Sequence, residues 1–393
     1  MVDRFKLLVV DTKENIKEFL NLPSSLYQED SNYIRPLDKD VEKIFNPAKN
    51  KKFRNGDAKR WILKDHKNNT IGRIAAFYES SKAKKNEPLT GGCGFFECIH
   101  DQEAANLLFD AARDWLASCN MHAMDGPINF GSRETFWGCL SDGFYEPNYN
   151  MPYNYPYYND LFIAYGFRNY FNQFTFHMPI DPGIMDPSIS ENAERCKQDK
   201  NFRFVNIDNR KLPQFAEDFT TIFNEAWAKF PGVKGMSFKQ SMAMFKAMKP
   251  VIDKRAVIFG YYGKRPVGFF IMIPDLFQSY KKFNGKFGII NQIRLMYDLK
   301  ISKQYTKLIG LIFGVVPDFQ KKGVSGGMIM HFAESVYKPG FHYTDLEMNW
   351  VGDFNPGMIK MVNQLGAKVK KTHITYRYLF DRDAEFKRAK VIS

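Results

Sequence analysis

The sequence predicts an α+β fold with two similar units in tandem, each a mixed, mostly antiparallel sheet flanked by helices. Three observations support this prediction. With 393 residues, the chain is long for one hydrophobic core. Strand-like and helix-like apolar patterns follow the same order in both halves. The turn glycines also repeat, since Gly72 and Gly268 are 196 residues apart and Gly166 and Gly366 are 200 residues apart. We interpret this repeat as an ancient duplication.

Apolar periodicity in the second half predicts the element order βααββ followed by βαβαβ. Alternating runs predict strands at 202–207, 306–316, 344–350 and 372–380, and a hairpin at 256–273 that turns near Gly263. Helical runs predict helices at 212–227, at 238–251 and directly after a glycine-rich turn, and a last helix at 356–365 that Gly366 closes.

The first half predicts a parallel series of elements. They are a hairpin at 60–79, a strand at 94–99, a helix with an apolar face that runs from Ala104 to Trp115, an extended segment at 122–130, and a helix and strand within 158–178. Segment 179–201 carries three prolines followed by polar residues, which is typical of an inter-domain linker. The predicted domains are therefore 1–180 and 201–393, joined by a linker at 181–200.

Composition indicates a globular protein, with 44% hydrophobic and 16% aromatic residues. The five cysteines include no C-x-x-C pair, so neither a disulfide framework nor a metal cluster is indicated, and we expect reduced, buried thiols. The N-terminus has no apolar leader, and no apolar run approaches the roughly 18 residues that span a bilayer. The expectation is a cytoplasmic protein without a membrane span.

The formal charge of +13 suits an anionic partner, which leaves a nucleotide cofactor, RNA and a lipid surface open. The charge is concentrated between Lys281 and Lys307, where seven basic residues accompany a single acid, Asp298. Such a run is usually a solvated surface, and contact with a coenzyme 3′-phosphate or with an acidic substrate is the alternative.

The most informative motif lies at 314–327, where an apolar run ends at Pro317 and a glycine-rich turn opens a helix. The first turn of a helix leaves backbone N–H groups without partners at the positive end of the helix dipole. This arrangement predicts a phosphate site. The alternative is that the glycines only make a tight turn. The motif is neither G-x-x-x-x-G-K-S/T nor G-x-G-x-x-G followed by an acidic residue.

The equivalent position of the first half reads His-Asp-Gln-Glu-Ala from His100. Its two carboxylates would stabilise their own helix and repel a pyrophosphate, so this half is predicted to be degenerate. An aromatic, turn-rich segment follows at 126–158. It is expected to line a substrate pocket or to pack the two domains together.

The glycine turn resembles the Gln/Arg-x-x-Gly-x-Gly/Ala signature of the GCN5-related N-acetyltransferases (GNATs), with Gln320 and Gly323 in place and Ser325 at a position that is usually small and apolar. The whole chain is similar to tandem GNAT-like bacterial proteins, largely uncharacterised as to substrate. The resemblance is carried by stretches such as 71–76, 94–97, 126–130, 142–144 and 153–158 in the first half and 314–317 and 346–355 in the second.

The resemblance implies acetyl-CoA or another acyl-CoA as cofactor. Its pantetheine arm would lie along the strand that ends at Val315 and Val316, and backbone amides of the turn would hold the pyrophosphate. The implied cofactor-binding residues are Val315, Val316, Gln320, Lys321, Lys322, Gly323, Val324, Ser325, Gly326 and Asn355. Asn355 also works simply as a helix N-cap.

The resemblance also implies a base that takes a proton from the amine. Glu347, on the strand after the coenzyme helix, is the first candidate and Asp353 the second, although Glu347 is as readily a carboxylate paired with a lysine. Val362 stands where many family members place an acidic tyrosine, so Tyr376 is one substitute for that role.

The expected function is transfer of an acetyl or longer acyl group from coenzyme A to the amine of a small molecule or peptide. Two alternatives are a non-catalytic module that binds acyl-CoA or an acidic lipid, and an aminoacyl-tRNA-dependent transferase. The basic charge suits RNA, but the glycine turn serves a pyrophosphate, so a nucleic-acid partner is not expected. The sequence leaves the acceptor, the acyl length and the oligomeric state open.

Overall fold

The two halves of the chain contribute to one continuous mixed sheet. The computed structural model describes residues 4–83, 88–227 and 234–391. Within these ranges the strands are β1 (Phe5–Val9), β2 (Gly56–Asp65), β3 (Thr70–Glu79), β4 (Thr90–Cys98), β5 (Ala123–Gly126), β6 (Cys139–Asp142), β7 (Arg168–Pro179), β8 (Phe202–Asn206), β9 (Val257–Tyr262), β10 (Arg265–Pro274), β11 (Lys307–Val315), β12 (Asp345–Gly352) and β13 (Lys368–Leu379). Their order is β1-β2-β3-β4-β5-β13-β7-β12-β11-β10-β9-β8, and β6 pairs with β13.

Helices cover the sheet and connect its strands. They are α1 (Lys13–Leu26), α2 (Asp38–Phe45), α3 (Ser80–Ala83), α4 (Gln102–Ser118), α5 (Tyr157–Tyr165), α6 (Pro187–Gln198), α7 (Leu212–Ala226), α8 (Phe238–Met248), α9 (Phe277–Tyr280), α10 (Ile289–Tyr297), α11 (Val324–Val336) and α12 (Pro356–Gln364). The α+β class and the two tandem units are confirmed, and each predicted strand and helix has its counterpart in this series.

The repeat of the two halves is visible in equivalent elements. In each half a strand runs parallel to its successor across a helix, with α4 between β4 and β5 and α11 between β11 and β12. Gly166 and Gly366 both follow the next helix with positive φ, at 110° and 81°, which is the backbone geometry that glycine adopts without strain.

The last strands of the two halves change places. β7, from the first half, pairs with β12 of the second half, while β13, at the end of the second half, pairs with β5 of the first. β7 and β13 also pair with each other at the centre of the sheet. Each half therefore completes its sheet with a strand from the other.

The hydrophobic cores reflect this exchange. One cluster lies mainly in the second half and contains Phe219, Phe245 and Phe269, yet it includes Phe176 from β7. A second cluster lies mainly in the first half, yet it includes Tyr376 from β13. Tyr376 is buried there with its ring stacked on Phe162 at 5.3 Å between ring centroids.

Most of the segment predicted as a linker, 181–200, is helical, because residues 187–198 form α6. Asp186 caps this helix through Ser188 N, and Pro187 occupies its first turn. Ile189, Ala193 and Cys196 are buried on one face of the helix. Pro187, the last of the three prolines that suggest a linker here, begins a helix, as proline does in a first turn.

Candidate functional site

In the second half β11 and β12 stop pairing part-way along their length, and we call the place where they separate the β11–β12 cleft. The two strands pair only from Lys307↔Asp345 to Gly310↔Met348 and then diverge. On its other side β11 carries a bulge, since Ile271 pairs with Ile312 while Met272 pairs with Gly310. Leu311, the residue between them, is left without a partner in the ladder and is 40% exposed. The open side of this strand therefore carries backbone groups that a ligand can reach.

The glycine turn lies at the end of this strand. Val316 N donates to Val267 O at 2.9 Å, and Gln320 Nε2 donates to Val315 O at 3.3 Å, so Gln320 braces the strand end. Lys321 and Lys322 are exposed. Gly323 is the N-cap of α11 with φ 81° and brings no side chain to cap the first turn. The helix thus begins with the positive end of its dipole beside two exposed lysines.

The same glycines also allow α6 to pack against α11. A Cβ atom at Gly323 would lie 2.2 Å from Asn192 O, and one at Gly326 would lie 2.6 Å from Ile189 O. The Cys196 thiol donates to Lys322 O at 3.1 Å. Helix packing alone therefore requires glycine at both positions. Any anion site on this turn must use the side away from α6, and the exposed side chains of Lys321 and Lys322 are available to it.

Glu347 occupies the centre of a buried ion cluster. Its carboxylate is 0% exposed and accepts from Lys370 Nζ at 2.7 Å, Lys371 Nζ at 2.9 Å and Asn148 Nδ2 at 2.7 Å, with Lys307 Nζ at 3.7 Å. Burial alone would raise the pKa of Glu347, but these lysine ammoniums hold it well below its usual range. The placement is that of a structural counter-ion, and it makes Glu347 a poor general base.

The other two predicted catalytic residues, Asp353 and Tyr376, have structural contacts as well. Asp353 Oδ2 accepts from Asn172 N at 3.1 Å and from Arg388 Nη2 at 2.6 Å, which ties the C-terminal segment to β7. Tyr376 donates to Asn159 Oδ1 at 2.8 Å inside the first-half core, and burial raises its pKa above the usual range. These two residues do not meet at the β11–β12 cleft.

Asn355 caps α12. Its side-chain oxygen accepts from Met358 N at 3.2 Å, as a helix N-cap does. Val362 is buried in the second-half core.

The first half contains an equivalent strand bulge. Arg73 pairs with Glu97 while Ala75 pairs with Gly94, and Phe95 between them has φ 51°. Its α4 is capped differently from α11, because Asp101 Oδ1 accepts from Ala104 N at 3.0 Å. Arg4 pairs with both Asp101 and Glu103. Carboxylates therefore occupy the place where the second half has an uncapped turn.

A cavity of about 80 Å³ lies beside the Phe95 bulge. Its walls are mostly apolar and aromatic and come from β4, from the α1–α2 region and from the aromatic segment, including Tyr33, Phe96, Met151 and Tyr153. The end of that segment lines this cavity, and its Tyr149 packs on Phe277 of the second half at 5.4 Å between ring centroids.

A polar cluster that the sequence did not single out lies at this cavity. Glu97 Oε2 accepts from Tyr27 at 2.7 Å and from Tyr158 at 2.8 Å, and Arg73 Nη2 reaches Glu97 Oε1 at 3.3 Å. Burial raises the pKa of Glu97 against the opposing effect of the Arg73 guanidinium. Arg73 Nε is buried without an acceptor among the described residues. The sequence feature that could have identified these residues is one charged residue in each of two mostly apolar strands, Arg73 in β3 and Glu97 in β4.

Within the described ranges, no helix has both the length and the apolarity that crossing a bilayer requires. Four of the five cysteines are buried and Cys119 is partly buried.

Known proteins resemble this chain over nearly its whole length. No protein-family model matches the sequence. Protein YghO of Escherichia coli (strain K12) is 23% identical over 367 residues, which cover 93% of this chain and 93% of that protein. The bacterial ceramide synthase of Caulobacter vibrioides (strain NA1000 / CB15N) is 25% identical over 375 residues, which cover 94% of this chain and 96% of that protein.

Solved structures show the same architecture. A tandem GNAT protein from the clavulanic acid biosynthesis pathway has a TM-score of 0.53 at 9% identity, covering 97% of this chain and 99% of that one. This chain therefore has a tandem GNAT fold, and the resemblance that the sequence indicates is confirmed.

Proposed function

We propose that the protein transfers an acyl group from an acyl-CoA to an amine. The observation that carries the proposal is the combination, in the second half alone, of the Leu311 bulge, the divergence of β11 from β12, and a helix N-terminus without a side-chain cap. The tandem GNAT fold supports the reaction class, since acyl transfer from coenzyme A is the activity that the resemblance implies.

The residues present fit an acyl-CoA at this place. Lys321 and Lys322 are exposed beside the first turn of α11 and would hold the pyrophosphate together with the amides that follow Gly323. Leu311 and the strand beyond it would line the pantetheine arm, as an added strand would pair with an open edge. Bound there, the coenzyme supplies an acyl thioester that is activated toward attack by an amine.

The protein would contribute to the reaction mainly by positioning the two reactants. Glu347, Asp353 and Tyr376 are each held in other contacts, so we propose that alignment of the amine with the acyl group supplies most of the rate and that solvent accepts the proton. The ion cluster around Glu347 would fix β12 against β13, and thereby the wall of the cleft.

We propose a long-chain amine of the lipid class as the acceptor. The support is the 25% identity with a bacterial ceramide synthase over nearly the whole of both chains. A ceramide is the amide of a long-chain amino alcohol and a fatty acid, so its synthesis is an N-acylation.

A second candidate function is binding of acyl-CoA without turnover. The placement of the three predicted catalytic residues in structural contacts favours it, because a sensor needs neither a catalytic base nor a catalytic acid.

Calorimetric titration with acyl-CoA and a thiol-release assay across an amine panel separate these functions. The variant Lys321→Glu/Lys322→Glu is expected to bind the coenzyme at least tenfold more weakly, since a hydrogen bond to a charged group contributes about 1.5–3 kcal/mol. Lys264→Glu, at the exposed β9–β10 turn, is the matched control. Unchanged affinity in the double variant would refute the site, and tight binding without thiol release from any amine would establish the second function.

A further inference from the structure

The helix α10 presents its apolar side to solvent. Its exposed residues recur at the spacing of one helical face, and the exposed fractions are 76% for Ile289, 82% for Ile290, 65% for Ile293, 39% for Met296 and 51% for Tyr297, followed by 67% for Ile301. Leu295, on the opposite side, is buried. A contiguous exposed apolar face of this kind marks an interaction surface.

Hydrogen bonds to neighbouring elements hold the surface in place. Asp298 is buried and accepts from Ser279 Oγ at 2.7 Å, and Tyr305 donates to the same hydroxyl at 2.6 Å. Asp38 N donates to Gly285 O at 2.9 Å, which joins the segment before α10 to α2 of the first half. The isoleucines are therefore displayed by a fixed helix, next to the elements that line the first-half cavity.

Basic residues surround the apolar face. Lys286, Arg294, Lys300 and Lys303 are exposed, and in the part of the chain that the structure describes none of the four has an acidic side chain within ion-pair distance. The single acid of this stretch, Asp298, is turned inward to Ser279. The predicted concentration of charge at 281–307 thus lies beside exposed isoleucines, which a purely solvated surface would not require.

We propose that α10 and its flanking basic residues dock the protein on an anionic lipid bilayer. Isoleucines would enter the boundary between headgroups and acyl chains while Arg294, Lys300 and Lys303 meet lipid phosphates, as interfacial amphipathic helices do. A second copy of the chain fits the surface less well, because it would carry the same positive charge. A nine-residue helix is also only about 14 Å long, which is short for the roughly 800 Å² per partner of a stable protein interface.

Docking in this manner is independent of the proposed transferase activity. If both hold, the bilayer would deliver a lipid amine to the side of the protein where the first-half cavity lies. Vesicle binding and thiol release are separate measurements, so either proposal can fail alone.

The test is co-sedimentation of the full chain with vesicles of phosphatidylcholine alone or mixed with phosphatidylglycerol. Binding is expected with the anionic vesicles only and should weaken as salt rises. Ile290→Asp/Ile293→Asp should reduce partitioning roughly tenfold or more, because two buried aliphatic side chains are lost from the lipid phase. Arg294→Glu/Lys300→Glu should reduce it roughly 25-fold or more, at about fivefold for each basic residue.

Matched controls keep the outcome unambiguous. Ile163→Asp changes an isoleucine of α5 that is 57% exposed, and Lys264→Glu changes a lysine at the far end of the β9–β10 hairpin; neither should alter binding. Equal binding by all variants, or no binding to anionic vesicles, would overturn the proposal. So would a dimer in sedimentation velocity that Ile290→Asp/Ile293→Asp dissolves while vesicle binding persists.

Discussion

Replacing Glu347 with glutamine separates a structural carboxylate from a catalytic one. The glutamine keeps the shape of the side chain and the contact with Asn148 but removes the charge that faces three lysines. Lys307 retains Asp275 at 2.8 Å, and Lys370 is 29% exposed at its side chain, whereas Lys371 is 3% exposed and loses its acidic partner. Removing one partner of a buried pair costs about 3–5 kcal/mol. We therefore expect Glu347→Gln to lower the free energy of unfolding by that amount.

Urea unfolding followed by tryptophan fluorescence measures this loss. Asp345→Asn, two residues earlier on the same strand, is the matched control, since Asp345 is 38% exposed and its pairing with His177 should contribute less than about 1 kcal/mol. Lys371→Met added to Glu347→Gln should restore part of the lost stability by removing the unpaired ammonium. If Glu347→Gln instead leaves stability unchanged and lowers thiol release by the roughly 10²–10⁴-fold that general bases contribute, the structural interpretation is wrong.

The same cluster predicts a pH dependence with a definite sign. Because the folded pKa of Glu347 is depressed, its stabilising contribution is complete above the ordinary carboxyl pKa of about 4.3 and is lost as pH falls below it. Burial lowers the pKa of Lys371 to about 8. The unfolded chain therefore binds more protons than the folded one between about 8 and 10.5, and stability from this residue should rise across that interval. Glu347→Gln should abolish the acid-side loss from this site.

Three further changes test other parts of the structure. Gly323→Ala should lower the free energy of unfolding by about 1–3 kcal/mol in a thermal melt, because φ at this residue is 81° and Asn192 O leaves no room for a Cβ atom. An unchanged melting temperature would contradict the packing of α6 on the turn. Glu97→Gln should cost about 3 kcal/mol in urea unfolding by leaving Arg73 buried without a counter-ion, and a neutral effect would mean that water reaches the cavity cluster. Asp353→Asn should reduce stability by less than about 1 kcal/mol and leave thiol release within twofold, since the pair with Arg388 is partly exposed; a large loss of rate would restore Asp353 as a catalytic residue.

The sequence predicted the local elements well and their partners poorly. Alternating apolar residues identify β7 and β13 as long strands, but that pattern does not name the neighbouring strand, and the exchange between halves depends on contacts some 200 residues apart. Segment 181–200 was predicted as a linker because proline was weighed as a loop residue. Asp186 followed by Pro187 is equally typical of a helix start. The helix that begins there packs closely against the glycines of α11, a contact that the local sequence does not indicate.

The backbone features at the candidate site could be predicted from the sequence, but the surroundings of its side chains could not. The glycine turn, the degenerate first-half equivalent and the N-cap at Asn355 followed from residue types whose backbone preferences are local. The environment of Glu347 did not, because Lys370, Lys371 and Lys307 come from two other strands and meet the carboxylate only after the sheet forms. The exposure of the α10 isoleucines could likewise not be predicted, since apolar residues along one face of a helix normally indicate that the face is buried.

The crossed position of β13 has a consequence for biosynthesis. A ribosome delivers β5 long before residues 368–379, so the first half has an open strand edge until those residues emerge. The first half can complete its sheet only after β13 has been synthesised, so a nascent chain stalled near residue 200 would be an aggregation-prone intermediate rather than a folded module.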